Sequence, residues 1–271
     1  RDADGDTFGV SSPTANACSQ PTGYTDNTYD CNDSDSTEPV VADAVSGTAG
    51  GAGTAASPFG SLQDAIDAAS QCVIAMAGTY EEQIDLDGVA LDVWGVEGSA
   101  YTIIDAGMPT CTSANPTACG TAVSFAGGAS TVTTFRGFTV TGGSGAVSSS
   151  TASTTCADSS ASHAGSNTCT VTTYEYRGGG IYINGDDPQL TDIVVRDNVL
   201  PDLAQDSVGA RVQYWLYSYG GGIYARDTNA TFDSVDVYGN YADQGGGIYV
   251  TTSASVSYEQ GKMSSNEATD G

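Results

Sequence analysis

Three copies of one pentapeptide constrain this chain more than any other feature. Gly178-Gly179-Gly180-Ile181-Tyr182 recurs as Gly220-Gly221-Gly222-Ile223-Tyr224 and as Gly245-Gly246-Gly247-Ile248-Tyr249. About twenty residues after each start stands an asparagine: Asn198, Asn240 and Asn266. Between them runs a second apolar segment, at 190–195, 232–237 and 256–263. The last two copies start 25 residues apart and the first two 42 apart, which places an insertion of about seventeen residues near 201–217. A degenerate earlier copy reads Ala122-Val123-Ser124-Phe125, followed by Phe138-Thr139-Val140-Thr141-Gly142-Gly143.

A repeat this short, with two or three strands and no helix, cannot bury its own apolar face; stacking successive copies solves that. Equivalent positions then lie about 4.8 Å apart, the spacing of paired strands. Ile181, Ile223 and Ile248 are expected to form an inward ladder, continued by Ile183, Ala225 and Val250. Asn198, Asn240 and Asn266 are expected to stack at a turn, each amide bonding to the next rung. The glycine triplets suit tight corners with positive φ. A flexible linker is the other reading of such a triplet, but it does not explain why the same Ile-Tyr and the same Asn follow each time.

Charge narrows the partners. Of 271 residues only seven are basic against 33 acidic, a formal charge of −26. That excludes a general nucleic-acid binder, which needs Lys and Arg to displace counterions, and argues against docking on anionic lipid or direct membrane insertion. Such a charge repels itself unless salt or bound divalent cations offset it.

Six of the seven cysteines fall into close pairs by sequence, Cys18 with Cys31, Cys111 with Cys119, and Cys156 with Cys169. Three local disulfides are expected, hence an oxidising, extracellular compartment. Zinc is the weaker reading, because no C-x-x-C occurs and His163 is the single histidine. Cys72 sits in the apolar run 72–77 and is expected to be a buried free thiol.

Residues 1–40 are acidic and poor in core residues, and 41–56 read as a linker. Residues 57–71 carry one helix signal: Ser61 and Asp64 make a capping-box-like start, and Leu62, Ala65, Ile66 and Ala69 recur at helical spacing. This helix would cap one end of a β-core. Short strands are expected at 72–77, 83–86, 91–95 and 101–105. The Ser/Thr-rich segment 144–170 reads as a long surface loop, open to O-glycosylation. Asn229-Ala230-Thr231 and Asn32-Asp33-Ser34 match the N-glycan sequon. The solenoid is expected over 57–271 and beyond, since Asp270-Gly271 falls where another repeat should begin, as in a piece of a longer secreted protein.

Two family resemblances follow. Residues 57–105, with Gly78-Thr79-Tyr80-Glu81 as the turn between an apolar strand and an "I-D" strand, resemble the N-terminal cap and first coils of the pectate-lyase-like superfamily. The GGGIY…N repeats resemble those of polymorphic outer-membrane and autotransporter adhesins. The fold these imply is all-β: a right-handed parallel β-helix with a short capping helix. Residues 1–40 resemble an acidic metal-binding repeat of methanotroph and myxobacterial surface proteins, through Asp2-Ala3-Asp4-Gly5-Asp6, Gln20-Pro21-Thr22-Gly23-Tyr24 and Asp30-Cys31-Asn32-Asp33-Ser34-Asp35. The closing motif is degraded to Thr37-Glu38-Pro39. Copper is named for some relatives, but this stretch lacks His and Met.

Asp2, Asp4 and Asp6, with Asp30, Asn32, Asp33 and Asp35, offer only hard oxygen ligands, which suit Ca²⁺. A disordered acidic stretch is the competing reading. With Ile inward, Tyr182, Tyr224 and Tyr249 point outward. They form either a ligand stripe for sugars or a partner protein, or a strip covered by the insertions at 144–170 and 199–219. The second insertion holds Tyr214, Trp215, Tyr217 and Tyr219.

The function classes that remain are a calcium-stabilised surface module, structural or adhesive, and a polysaccharide-binding or polysaccharide-degrading β-helix. Its partners would be cell-surface glycans or proteins, or other copies of itself stacked into a stalk, sheath or filament. Catalysis is disfavoured. Arg136, Arg177, Arg196, Arg211, Arg226 and Lys262 share no repeat position, and Asp186-Asp187 lies in a Gly-Asp-Asp-Pro turn where Asp is expected.

Overall fold

A computed structural model describes residues 1–5, 8–10, 13–27, 29–31, 36–111, 115, 117–128, 132–155, 168–201 and 212–270. β1 (Val40–Ala42) opens the solenoid, and α1 (Leu62–Ala68) packs on its first strands. The next coil runs β2 (Cys72–Ala75), β3 (Gly78–Tyr80) and β4 (Ile84–Asp85), and the one after it β5 (Asp92–Gly95), β6 (Thr102–Asp105) and β7 (Val123–Ala126). β8 (Thr134–Thr141) then leads into a hairpin, β9 (Ala146–Thr155) and β10 (Thr168–Arg177), before β11 (Ile181–Asn184). The fifth coil is β12 (Gln189–Arg196), β13 (Val212–Tyr219) and β14 (Ile223–Arg226). β15 (Thr231–Tyr238), β16 (Tyr241–Ala242) and β17 (Ile248–Val250) follow, then β18 (Ser257–Glu259), β19 (Met263–Ser264) and β20 (Glu267–Ala268).

Except for the β9–β10 hairpin, every strand pair is parallel, and the chain is a right-handed parallel β-helix. One facet stacks β1, β2, β5, β8, β12, β15 and β18; a second stacks β4, β7, β11, β14 and β17. Each long strand also bends into a third facet, where β3 pairs with β6, β6 with the end of β8, and β19 with the end of β15. The bend comes at a left-handed residue in each coil: Gly137, Asp192 and Ser234, with φ of 79°, 52° and 57°. It resets the alternation, so Leu190 and Ile193, three apart, both face the core. They lie between Phe135 and Phe232, and between Phe138 and Val235.

The repeat stacks in the expected register. Ile181 lies between Val123 and Ile223, and Ile223 lies beside Ile248. Asn198 Nδ2 donates to Asn240 Oδ1 at 3.0 Å, and Asn240 Nδ2 donates to Asn266 Oδ1 at 2.9 Å. Asn240 Nδ2 also donates to the Val195 carbonyl (3.0 Å), so the ladder replaces main-chain partners that the corner has lost. Within each triplet only the first glycine has positive φ: 60° at Gly178, 68° at Gly220 and 61° at Gly245. The third is glycine for lack of space. A Cβ at Gly222 would stand 2.6 Å from the Gly247 oxygen and 3.0 Å from Asn240 Nδ2.

The helix begins as expected, with Ser61 accepting from the Asp64 amide at 3.1 Å. Gly78–Tyr80 is strand β3 and not the expected turn, and Glu82 just after it adds a second cap by accepting from the Leu62 amide and the Ser61 hydroxyl. Leu62, Ala65 and Ile66 join the main core.

Two cysteine expectations are corrected. Cys72 is not a free thiol: it is bonded to Cys31, with Cα atoms 6.2 Å apart, and Cys18 is the exposed free cysteine. The reason is strand alternation. Val73 and Ala75 face the interior, so Cys72 and Ile74 face outward. Phe8 and Val41 cover them there, and Tyr29 meets Trp94 edge-on at 6.4 Å between ring centres. The acidic N-terminal stretch thus has a small apolar footing on the solenoid. Cys111–Cys119 forms as expected; the Cys156–Cys169 pairing lies outside the described residues. The segment 144–170 is not a simple loop, because it contributes β9 and the start of β10 to a three-stranded sheet, ordered β13-β10-β9. This sheet leaves the solenoid at the corner that carries the asparagines, and we term it the arm.

Asn240 is buried, and its amide serves three coils. Asn240→Ala strands those partners and is expected to cost about 2–3 kcal/mol, read as a lower urea midpoint. Asn266→Ala, at the half-buried last corner, is expected to cost less.

Candidate functional site: a tyrosine corner between arm and solenoid

β11, β14 and β17 are in register, so their outward tyrosines meet face to face. Tyr182 and Tyr224 ring centres are 5.7 Å apart at 13°, and Tyr224 and Tyr249 are 5.8 Å apart at 4°. Stacked in this way the rings occupy one another's faces, and Tyr224 retains 4% exposure. The base of the arm closes over them. Arg177 sits 5.6 Å above the Tyr224 ring and pairs with Glu175, while its Nη1 donates to Ser148. Tyr219 tilts against Tyr249 at 5.0 Å, and Tyr217 stacks on Tyr219 at 6.5 Å. The insertion therefore covers the middle of the stripe and extends its end. Tyr182 stays half-exposed at one end, and at the other a bent row, Tyr249, Tyr219 and Tyr217, stays half-exposed beside the Arg177–Glu175 pair.

Strand alternation sorts the arm's residues. Tyr174 and Tyr176 face one side and pack with Val147, Leu200, Leu216 and the Cys111–Cys119 bridge. Glu175 and Arg177, with their partners Tyr217 and Tyr219, face the other. The density of tyrosine in the second insertion was the sequence signal for this. The parallel pairing of β10 with β13 that brings Arg177 beside Tyr219 was not legible, since it joins two separate insertions.

The acidic turn residues are occupied with holding turns. Asp187 accepts from the Asn229 backbone amide at 2.6 Å and from its side chain at 3.3 Å. Asp87 accepts from the Ser124 hydroxyl (2.7 Å) and the Ala126 amide. Burial raises the Asp87 pKa, against those hydrogen bonds, and nearby Asp85 and Asp186 add to the rise. Asp186 is itself buried. The cations are dispersed. Arg136 lies 4.2 Å over Trp94 and 3.1 Å from Asp92, while Arg196 and Arg226 each pair with the following aspartate. Arg211 lies outside the described residues.

Of the seven residues expected to hold a metal, Asp2, Asp4 and Asp30 are described; Asp6, Asn32, Asp33 and Asp35 lie outside. Among the described residues no three acidic, Cys or His side chains converge as a metal site. The two acidic segments do run side by side. The Asp30 amide donates to Gly9 O at 3.1 Å, Gly9 N to Asn27 Oδ1 at 3.1 Å, and Asp2 N to Gly23 O at 3.1 Å. Asp30 is buried at that junction.

Fold and corner together define a parallel β-helix with an aromatic side arm. No protein-family profile and no curated protein matches the sequence. Among solved structures, pectin methylesterase PemA from Erwinia chrysanthemi is 15% identical, with 74% of this chain and 55% of that chain covered, at a TM-score of 0.38. A pectin methylesterase in complex with a hexasaccharide is 13% identical over 76% of this chain and 56% of its own, at 0.37. A GH136 lacto-N-biosidase from Eubacterium ramulus is 10% identical over 80% and 30%, at 0.24. The chain spans little more than half the length of the two esterases, and the likeness concerns the fold alone.

Burial raises the phenol pKa of Tyr80, Tyr176, Tyr182, Tyr219, Tyr224 and Tyr258, with Tyr176 pushed up to about 12. Unfolded tyrosine ionises near pH ~10. Groups raised in this way leave stability intact below that value and remove it as pH climbs through the folded values. The melting temperature is expected to fall above pH ~10, with a late-ionising class of tyrosines in an absorbance titration.

Proposed function

We propose that this is an extracellular cell-surface β-helix that adheres to carbohydrate through the corner between arm and solenoid, without turning it over. The observation that supports this is the half-exposed row Tyr249, Tyr219 and Tyr217 beside Arg177 and Glu175. Aromatic rings match the C–H faces of sugars, and a paired cation and carboxylate match their hydroxyls. Of the tyrosine stripe, Tyr224 is covered and Tyr249 takes part in this row. Disulfides on both the N-terminal stretch and the solenoid favour an oxidising exterior. On a glycan array, selective binding is expected for the wild type, with at least about tenfold weaker affinity for Tyr219→Ala. Binding unchanged by that variant would remove the corner from the proposal.

The second reading is a polysaccharide-degrading enzyme, the kind of protein named in the pectin methylesterase structures. Pectin esterase and lyase assays separate the two. Turnover lost in Asp186→Asn with Asp187→Asn would establish the enzyme and displace the adhesin.

We further propose that residues 1–40 bind Ca²⁺. Support comes from their all-oxygen acidic side chains and from the backbone bonds that join Asp2 to Gly23 and Asp30 to Gly9. Binding would offset part of the charge of −26. Calorimetry at millimolar Ca²⁺ should show a saturable site that Asp30→Asn weakens, and chelation should speed proteolysis of this stretch ahead of the solenoid.

A further inference from the structure

The arm ends on one side in β9, a ten-residue strand, Ala146–Thr155, that pairs with β10 only. Its other edge meets no strand among the described residues. A free edge is a row of unpaired N–H and C=O groups, and proteins commonly blunt it with short strands, lysine, proline, bulges or a cover. β9 carries none of the sequence devices: its sequence, AVSSSTASTT, has no charge, proline or glycine. From Ser148 to Ser153 every side chain is exposed, on both faces of the strand. The opposite edge differs, because β13 is tied to the following coil through Gln244 N on Ser218 O at 3.0 Å and Ser218 N on Asp243 Oδ2 at 3.0 Å.

Charge says what can approach this edge. The chain carries −26, so two copies repel over most of their surfaces. β9 and β13 contain no ionisable acid or base other than tyrosine, and in β10 Glu175 and Arg177 neutralise each other. The arm is thus a neutral patch projecting from an acidic rod, and its open edge is self-complementary about a two-fold axis.

We propose that β9 of one copy pairs antiparallel with β9 of a second copy, joining two three-stranded arms into one six-stranded sheet. A two-fold pairing closes on itself and gives a dimer, not a fibre. Ten residues offer roughly 33 Å of edge. The contact is lateral, and its centre at Ser150 and Thr151 lies further along β9 than Ser148, which accepts from Arg177 at the tyrosine corner.

The test is sedimentation equilibrium of the full chain at physiological ionic strength, over two decades of concentration. A monomer–dimer equilibrium is expected, together with hydrogen exchange at β9 amides that slows as the dimer forms. Ser150→Lys with Thr151→Lys places like charges against their symmetry mates and is expected to weaken dimerisation by at least about tenfold, with the melting temperature kept. Three outcomes would overturn the proposal: a monomer throughout, a dimer whose β9 amides exchange as in the monomer, or a dimer indifferent to the lysine pair. Protection centred on 263–268 would mark end-on stacking and overturn it equally.

Discussion

The structure rests on one corner. At three successive levels the chain leaves a strand through a left-handed residue, Asp197, Gly239 or Ser265, and places an asparagine inward against a glycine triplet. Asn198, Asn240 and Asn266 carry out the same act at successive levels: the amide of one donates to the carbonyl oxygen of the next and to a main-chain carbonyl. The third glycine of each triplet has no side chain because that amide fills its space. Neither feature works without the other. A Cβ there would press on the ladder, and loss of the ladder would leave buried donors and acceptors unpaired. Register follows from this corner, and register puts isoleucine over isoleucine and tyrosine over tyrosine.

Register also settles what the tyrosines can do. Parallel in-register strands force identical side chains into stacks, and planar rings then bury their faces in each other. Of the two sequence readings of the stripe, an open ligand platform or a strip covered by the insertions, the middle follows the second: Tyr224 is braced between two rings with Arg177 laid over it. Where the repeat is broken the rings are not stacked away, because β13 carries Tyr217 and Tyr219 on a different strand and at a different angle. Irregular insertions on a regular scaffold hold the surface chemistry, as loops do on other rigid folds.

Much of this was legible. The pentapeptide and its trailing asparagine predicted the inward ladder, the stacked tyrosines and the turn amides, because each signal was repeated three times at a fixed offset. The Ser61–Asp64 cap was legible from local chemistry alone. Cys72 was misread because its run, 72–77, is apolar at every position. A strand with one buried face alternates, and an unbroken run means that both faces are covered. Taken that way, Cys72 and Ile74 required a cover, and the acidic stretch with Phe8 and Tyr29 supplies it. Proximity in sequence was a poor guide to Cys18 and Cys31, since closing that loop competes with a contact 41 residues away that apolar packing favours. The arm was illegible for another reason: β9 is Ser/Thr-rich and exposed from Ser148 to Ser153, and the buried side of β10 packs against segments distant in sequence.

The distribution of charge ties these parts together. Aspartates fill the outer corners, where they hold the turn amides of the next coil, as Asp187 does with Asn229 and Asp87 with Ala126. An acidic shell is thus a by-product of turn chemistry repeated along a solenoid, and it makes the rod repel its own kind. The arm escapes this because strands need no turn aspartates. Serine and threonine suffice along its outer strand, β9, where both faces are wet from Ser148 to Ser153. The same rule that makes the solenoid acidic leaves the three strands of the arm without net charge.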